Sequence, residues 1–220
     1  MTDVAARLAA ESLKLGSIQL RPNDPFTWAS GYRMPIYNDN RKLLSLHRTR
    51  QLVVDGLAGL LNQSGFKPAV IAGVATAGIP HATSLADRLQ LPLIYIRGKE
   101  KDHGLGRRIE GVLNAGDEVL VIEDLISTGG SSLQAVVAVR EAGGLADWCF
   151  SIFSYGFKEA TAEFSKAGCR QQPVLTFETL LGVAGKEGYI NAKDAALLEQ
   201  WSDDPFGWGE KNGFPPISKK

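Results

Sequence analysis

The sequence predicts an α/β fold: a parallel twisted sheet flanked by helices, with a small N-terminal hood. Three observations predict it. Short uninterrupted apolar runs of strand length recur from residue 68 onward. Between them lie segments whose apolar residues fall at helical spacing. The chain before that pattern is different, because Leu20 to Leu43 is rich in Pro, Asn, Asp and Gly. Strands buried on both faces read as continuous apolar runs, and alternation with helices implies parallel pairing.

Val4, Leu8, Leu13 and Leu15 give a loosely amphipathic first helix, and residues 20–43 read as short strands and turns. Residues 1–45 are therefore expected to form a hood over a core of residues 46–220. His47 to Leu61 has helical spacing, PAVIAGVA (68–75) reads as a strand, and Ile79 to Leu89 as a helix. LPLIYIRG (91–98) is the next strand, followed by a charged, Gly-rich stretch to Gly111. DEVLVIEDL (117–125) is a strand leading through a Ser/Thr/Gly turn into a helix over about 131–142. DWCFSIFSY (147–155) is a strand and Lys158 to Ala167 a helix. VLTFETL (174–180) is expected as the last strand and Asn191 to Trp201 as a late helix. In the tail, Trp201, Phe206 and Trp208 are expected to pack on the surface. In such a sheet ligands bind beyond the carboxyl ends of the strands. The segments after Ala75, Ile96, Ile122 and Ser154 are thus the places to search.

Composition narrows the function. Lys+Arg and Asp+Glu both number 24, so the net charge is zero, which argues against a broad surface that tracks nucleic-acid phosphates. No apolar run approaches the roughly 18 residues a membrane helix needs, and the N-terminus lacks the basic region of a signal peptide. Cys149 and Cys169 form no CxxC pair, and three His are too scattered for a zinc site. Both cysteines border apolar segments and read as buried reduced thiols, which fits the cytoplasm.

The most informative segment is VLVIEDLISTGGSS, residues 119–132. A parallel strand would deliver Glu123 and Asp124 to the carboxyl edge of the sheet, where paired carboxylates can accept hydrogen bonds from a ribose diol. Gly129 and Gly130 let the backbone curl so that successive N–H groups converge. The helix that follows adds its positive end, and Ser127, Thr128 and Ser131 add hydroxyls. The Walker lysine is missing and the glycines do not follow GxGxxG. An ordinary capped turn is the bland alternative, but it does not explain an acidic pair fused to a phosphate cradle.

This segment resembles the PRPP-binding signature of type I phosphoribosyltransferases nearly letter for letter. The resemblance implies that Glu123 and Asp124 bind the ribose hydroxyls and that the residues after them, Leu125, Ile126, Ser127, Thr128, Gly129, Gly130 and Ser131, line the 5-phosphate site.

Three further segments resemble the orotate branch of that family. Arg97 to Arg108 carries five basic residues, two acidic residues and one His, with glycines at 98, 104 and 106. A charge run is commonly a solvated loop, but Arg97, Lys101, His103 and Gly104 follow in order the pattern of the orotate enzymes' catalytic loop. Lys99 adds a charge, and Gly98 stands where many members have lysine. SGYRMPIYNDNR (30–41) resembles the hood over the base, which places Tyr37 and Asn38 against orotate, together with Ser127. Ala29 stands where some members have a lysine, and Tyr155-Gly156 where some have a base-binding arginine. GVATAGIPHA (73–82) resembles the pyrophosphate loop, with Thr76 and Ala77 at the positions of a Tyr-Lys pair in some members.

The resemblance implies transfer of ribose 5-phosphate from PRPP to orotate, giving orotidine 5-phosphate and pyrophosphate in pyrimidine synthesis. Arg97, Lys101, His103 and Asp124 are the expected catalytic residues. Magnesium is expected on PRPP oxygens, with no protein metal site. A homodimer is expected in which each catalytic loop covers the partner's site, with neither nucleic acid nor membrane as partner. A purine phosphoribosyltransferase is the alternative enzyme, disfavoured by the Arg97–His103 pattern. A nucleic-acid-binding regulator that keeps the PRPP site as a sensor is the alternative of another class, disfavoured by zero net charge.

Overall fold

The computed structural model describes residues 2–98 and 108–216. Helix α1 (Thr2–Leu15) buries Leu8, Ala9 and Leu13 and packs on the body of the chain. Four short strands follow, β1 (Ile18–Leu20), β2 (Phe26–Thr27), β3 (Arg33–Met34) and β4 (Ile36–Asn38). They pair as two antiparallel ribbons, β1 with β4 and β2 with β3. A 3-10 helix (Asn40–Ser45) leads into α2 (His47–Ser64).

The strand–helix alternation then runs as expected. It comprises β5 (Val70–Val74), α3 (Gly78–Leu89), β6 (Leu93–Ile96), β7 (Ile109–Glu110), β8 (Glu118–Ile126) and α4 (Gly130–Glu141). It continues through β9 (Leu145–Ser154), α5 (Lys158–Lys166), β10 (Arg170–Thr176), α6 (Phe177–Lys186), α7 (Ala192–Asp203) and α8 (Trp208–Lys211). Six strands form one sheet in the order β10-β9-β8-β5-β6-β7. Five are parallel and β7 is antiparallel to β6.

The chain steps from β5 outward to β6, and from β8 outward in the opposite direction to β9 and β10. Right-handed crossovers then put α3 and α4 on opposite faces. They also make the β5/β8 boundary the point where strand order reverses, which is where α/β sheets open a crevice for ligands. Leu120, Val121 and Ile122 of β8 and Ile71 and Ala72 of β5 are fully buried at that boundary. Gly78, at the start of α3, sits so close to β8 that a Cβ there would lie 2.5 Å from the carbonyl oxygen of Ile122. Glycine is thus what lets α3 begin directly above the crevice.

The structure adds one strand and corrects two expectations. Ile109 and Glu110, at the end of the charged stretch, form β7, and the Arg97 N–H donates to the Arg108 carbonyl at 2.8 Å just beyond that pairing. The last strand is Arg170–Thr176, not 174–180. Thr176 ends it by accepting a hydrogen bond from the Thr179 N–H at 3.1 Å, which caps α6 and turns Phe177 to Leu180 helical. Pro173 is tolerated in β10 because this is an edge strand. Two of the three tail aromatics are not surface residues. Trp201 and Trp208 are 0% and 1% exposed, and Phe206 alone of the three is open, at 39%. Trp201 packs edge-on against Trp28 and Tyr155, and its Nε1–H donates to the Met34 sulfur at 3.1 Å. Aromatic pairs of this kind add ~0.5–1.5 kcal/mol each beyond area burial, so the tail fastens the N-terminal ribbons to the end of β9. Cys149 and Cys169 are free and buried, as expected. Among the described residues no helix is long and apolar enough to cross a membrane.

Candidate active site

Strand β8 carries Glu123 and Asp124 beyond its fully buried stretch, beside the start of α3. Glu123 is 5% exposed and is held from three directions. The Asp124 N–H donates to its Oε1 at 3.1 Å, and the hydroxyls of Ser131 and Ser132 donate to its Oε2, each at 3.2 Å. Asp124 is half-buried. Asn40, from the 3-10 helix, donates through Nδ2 to the Asp124 carbonyl at 2.7 Å.

Two adjacent carboxyls in a shielded place cannot both ionise freely. Burial, then the negative charge of Asp124, pushes the Glu123 carboxyl from 4.5 up to about 8. Asp124 is also raised by burial, opposed by a hydrogen bond from Glu123 and by the charge of Arg41. The hydrogen bond between them raises Glu123 and lowers Asp124, so the proton sits on Glu123 and Asp124 is the readier acceptor.

After Ser127 and Thr128 the chain reaches Gly129 at φ +84°, a conformation that glycine adopts without a steric penalty. This turn starts α4 with no side chain capping it. Helix α3 likewise starts at Gly78 with no side-chain cap, next to Thr76 and Ala77. Two helix N-termini, each with uncapped N–H groups, therefore flank the acidic pair. Such ends attract phosphate through hydrogen bonds and dipole together. Gly130 and Ser131 are exposed at the start of α4, while Ser132 is fully buried. The Ile126 side chain is buried too, so this residue can meet a ligand only through its backbone.

The remaining expected residues fall into three groups. Thr76 and Ala77 lie where β5 meets α3, across the strand boundary from Glu123. Tyr37 and Asn38 are in β4, with Tyr37 38% exposed and its ring tilted 39° against that of Phe26 at 5.6 Å between centroids. Arg97 follows β6, 3.5 Å from Glu110. Lys99, Lys101 and His103 lie outside the described residues. Arg108 donates to the carbonyls of Arg97, Gly98 and Gln134, which ties the far end of that segment to its start and to α4.

Sequence reasoning missed Asn40 and Ser132. Asn40 lies within the SGYRMPIYNDNR segment, but its bond to Asp124 spans 84 positions, and no local pattern announces it. Ser132 had a visible signal, the second serine of the Gly-Gly-Ser-Ser turn.

The proton on Glu123 predicts a pH dependence of stability. From about pH 4.5 to about 8 the folded protein keeps a proton that the unfolded chain has released. Unfolding then releases protons, so stability falls as pH rises through that window and levels off above it. Glu123→Gln is neutral throughout and should flatten this part of the profile. Denaturant titrations from pH 5 to 9 measure it, and identical slopes in both proteins would show that Glu123 ionises normally in the fold.

Comparison with known proteins accords with this site. Residues 43–160 match the phosphoribosyl transferase domain family. The orotate phosphoribosyltransferase of Levilactobacillus brevis is 47% identical over 204 residues, spanning 93% of this chain and 97% of that protein. The crystal structure of orotate phosphoribosyltransferase from Aeropyrum pernix superposes with a TM-score of 0.72 at 30% identity, covering 84% of this chain and 99% of that one. The Mycobacterium tuberculosis enzyme in complex with PRPP superposes with a TM-score of 0.63 at 26% identity, covering 80% and 98%. A largely parallel sheet, an acidic pair at its reversal point and similarity along nearly the whole chain lead to one conclusion: this protein belongs to the phosphoribosyltransferase family with the type I fold, and within it to the orotate phosphoribosyltransferases.

Proposed function

We propose that this chain transfers the ribose 5-phosphate of PRPP to orotate, forming orotidine 5-phosphate and releasing pyrophosphate, as a step of pyrimidine nucleotide synthesis. The observation that carries the reading is the acidic pair Glu123–Asp124 set between two uncapped helix N-termini. The carboxyls accept the ribose hydroxyls. The α4 end, from Ser127 to Ser131, takes the 5-phosphate, and the α3 end, at Thr76 and Ala77, takes the pyrophosphate. Residues 1–45 act as a hood that brings Tyr37 and Asn38 to the base, and residues 46–220 carry PRPP. The Ser127 hydroxyl orients orotate from the opposite side. We place the enzyme in the cytoplasm, where reduced thiols such as the free Cys149 and Cys169 persist.

In the reaction, N1 of orotate bonds to the anomeric carbon and loses its proton. The bond to pyrophosphate breaks, and its electron pair leaves with the pyrophosphate. Positive charge builds on the ribose and negative charge on the leaving group. Asp124, close to the sugar, stabilises the first. Arg97, Lys101 and His103 stabilise the second.

The pocket's oxygen donors suit magnesium bound through PRPP, because paired carboxylates and hydroxyls are hard ligands. Among the described residues no group of His, Cys, Asp and Glu could hold a metal alone. The ion would rest on PRPP oxygens beside Glu123 and Asp124. When bound, it offsets the charge of the departing pyrophosphate.

Two measurements test this reading. The purified protein should consume orotate with PRPP and magnesium, followed by its ultraviolet absorbance, and lose that activity when magnesium is chelated. Faster turnover of adenine, hypoxanthine or uracil than of orotate would overturn the assignment.

The second concerns a two-fold dimer in which Lys101 and His103 serve the partner's site. Lys101→Ala and Asp124→Asn should each be nearly inactive. In a mixed dimer one site then carries both defects and the other neither. With random pairing about half the dimers are mixed, so co-expression should restore roughly a quarter of wild-type activity. No recovery from demonstrated mixed dimers would assign each loop to its own subunit.

A further inference from the structure

Orotate differs from uracil by a carboxylate that is ionised at neutral pH. A site that selects orotate therefore needs donors for that group, and a cation beside the base supplies the strongest of them. This inference rests on the orotate reading above and concerns how the site recognises that group.

Beyond helix α1, residues 17–45 of the hood carry four cations, Arg21, Arg33, Arg41 and Lys42. Three are engaged elsewhere. Arg21 lies over the Phe26 ring at 4.8 Å. Arg33 donates to the Pro25 carbonyl at 2.9 Å and lies 5.8 Å from the centre of the Phe214 ring. The Lys42 ammonium donates to the Gly16 carbonyl at 3.0 Å.

Arg41 is placed differently. Its neighbour Asn40 is 2% exposed and bonded to the Asp124 carbonyl at 2.7 Å, which pins the start of the 3-10 helix to the end of β8. Arg41 thus emerges at the junction between the hood and the acidic pair. Its charge reaches both Asp124 and Tyr37, the hood residue expected against the base.

The side chain is also oriented. Asp39 Oδ1 accepts from Arg41 Nε at 2.6 Å and from the Arg41 backbone N–H at 3.3 Å. The terminal guanidinium nitrogens make no hydrogen bond among the described residues. Asp39 therefore fixes the stem of the fork and leaves its two prongs open, the arrangement that receives a carboxylate with two parallel hydrogen bonds.

We propose that Arg41 is the specificity-determining cation of this site: its terminal guanidinium nitrogens receive the carboxylate of the pyrimidine, and Asp39 orients it for that contact.

Orotidine 5-phosphate and uridine 5-phosphate differ by that carboxylate alone, so their binding isolates the contact. Both are titrated calorimetrically against wild type, Arg41→Gln and Arg41→Lys, with thermal unfolding to show that each variant folds. Wild type should prefer orotidine 5-phosphate. Arg41→Gln should lose roughly 10- to 100-fold of that affinity, the scale of a charge-assisted hydrogen bond, and bind uridine 5-phosphate as wild type does. Arg41→Lys, a cation without the fork, should fall between them. In kinetics the KM for orotate should rise while that for PRPP stays constant. Unchanged affinity for orotidine 5-phosphate in Arg41→Gln would overturn the proposal. So would an equal loss for both nucleotides, or a rise confined to the KM for PRPP, since either would assign Arg41 to the phosphates or to the hood. Wild-type protein that neither consumes orotate nor binds either nucleotide would instead sink the orotate reading itself, and this inference with it.

Discussion

The structure turns on two adjacent carboxyls buried where the sheet reverses its strand order. The buried run Val119–Ile122 of β8 contributes to stability through apolar area, and following it directly with Glu-Asp works against that gain. Burial pushes both carboxyls toward the neutral form, and at Glu123 the negative charge of Asp124 adds to it. The fold tolerates the pair because each oxygen of Glu123 finds a donor, from the Asp124 backbone, Ser131 and Ser132. An unsatisfied buried carboxyl would cost several times more.

That constraint organises the surroundings. Both helices flanking the pair start without side-chain caps, so the positive ends of α3 and α4 face a region of negative charge. A sugar phosphate fits such a place: its hydroxyls donate to the carboxyls and its phosphate takes the helix N–H groups. The hood is joined to the same spot through Asn40, while Trp201 and its aromatic neighbours hold the ribbons from the other side. On our reading this is how base and ribose come to share one crevice.

Much of this was legible in the sequence, for identifiable reasons. Strands buried on both faces must be continuously apolar, so β5, β8 and β9 stood out within a residue or two of their ends. The acidic pair and the glycine turn are contiguous, and a local motif carries its own geometry. Strand β7 was missed because two residues leave no periodicity, and its pairing partner β6 lies before a charged stretch. The end of β10 was misread because VLTFETLL suits a strand and a helix equally, and one hydroxyl, that of Thr176, decides between them. Trp201 was taken for a surface residue because its partners Trp28 and Met34 are far away in sequence. Asn40 and Arg41 gain their meaning only from contact with β8, which local reading does not reach.

The central claim is that Glu123 and Asp124 read a ribose diol. It is tested most directly by comparing the binding of ribose 5-phosphate and 2-deoxyribose 5-phosphate to wild type, Glu123→Gln and Asp124→Asn. The two ligands share the phosphate and differ at one hydroxyl. Wild type should favour ribose 5-phosphate by roughly 10- to 100-fold, the scale of a hydrogen bond to a charged group. At least one of the variants should lose most of that preference while keeping its affinity for the deoxy sugar. Equal binding of the two sugars by wild type would contradict the account and leave the carboxyls as a buried turn that meets no ligand.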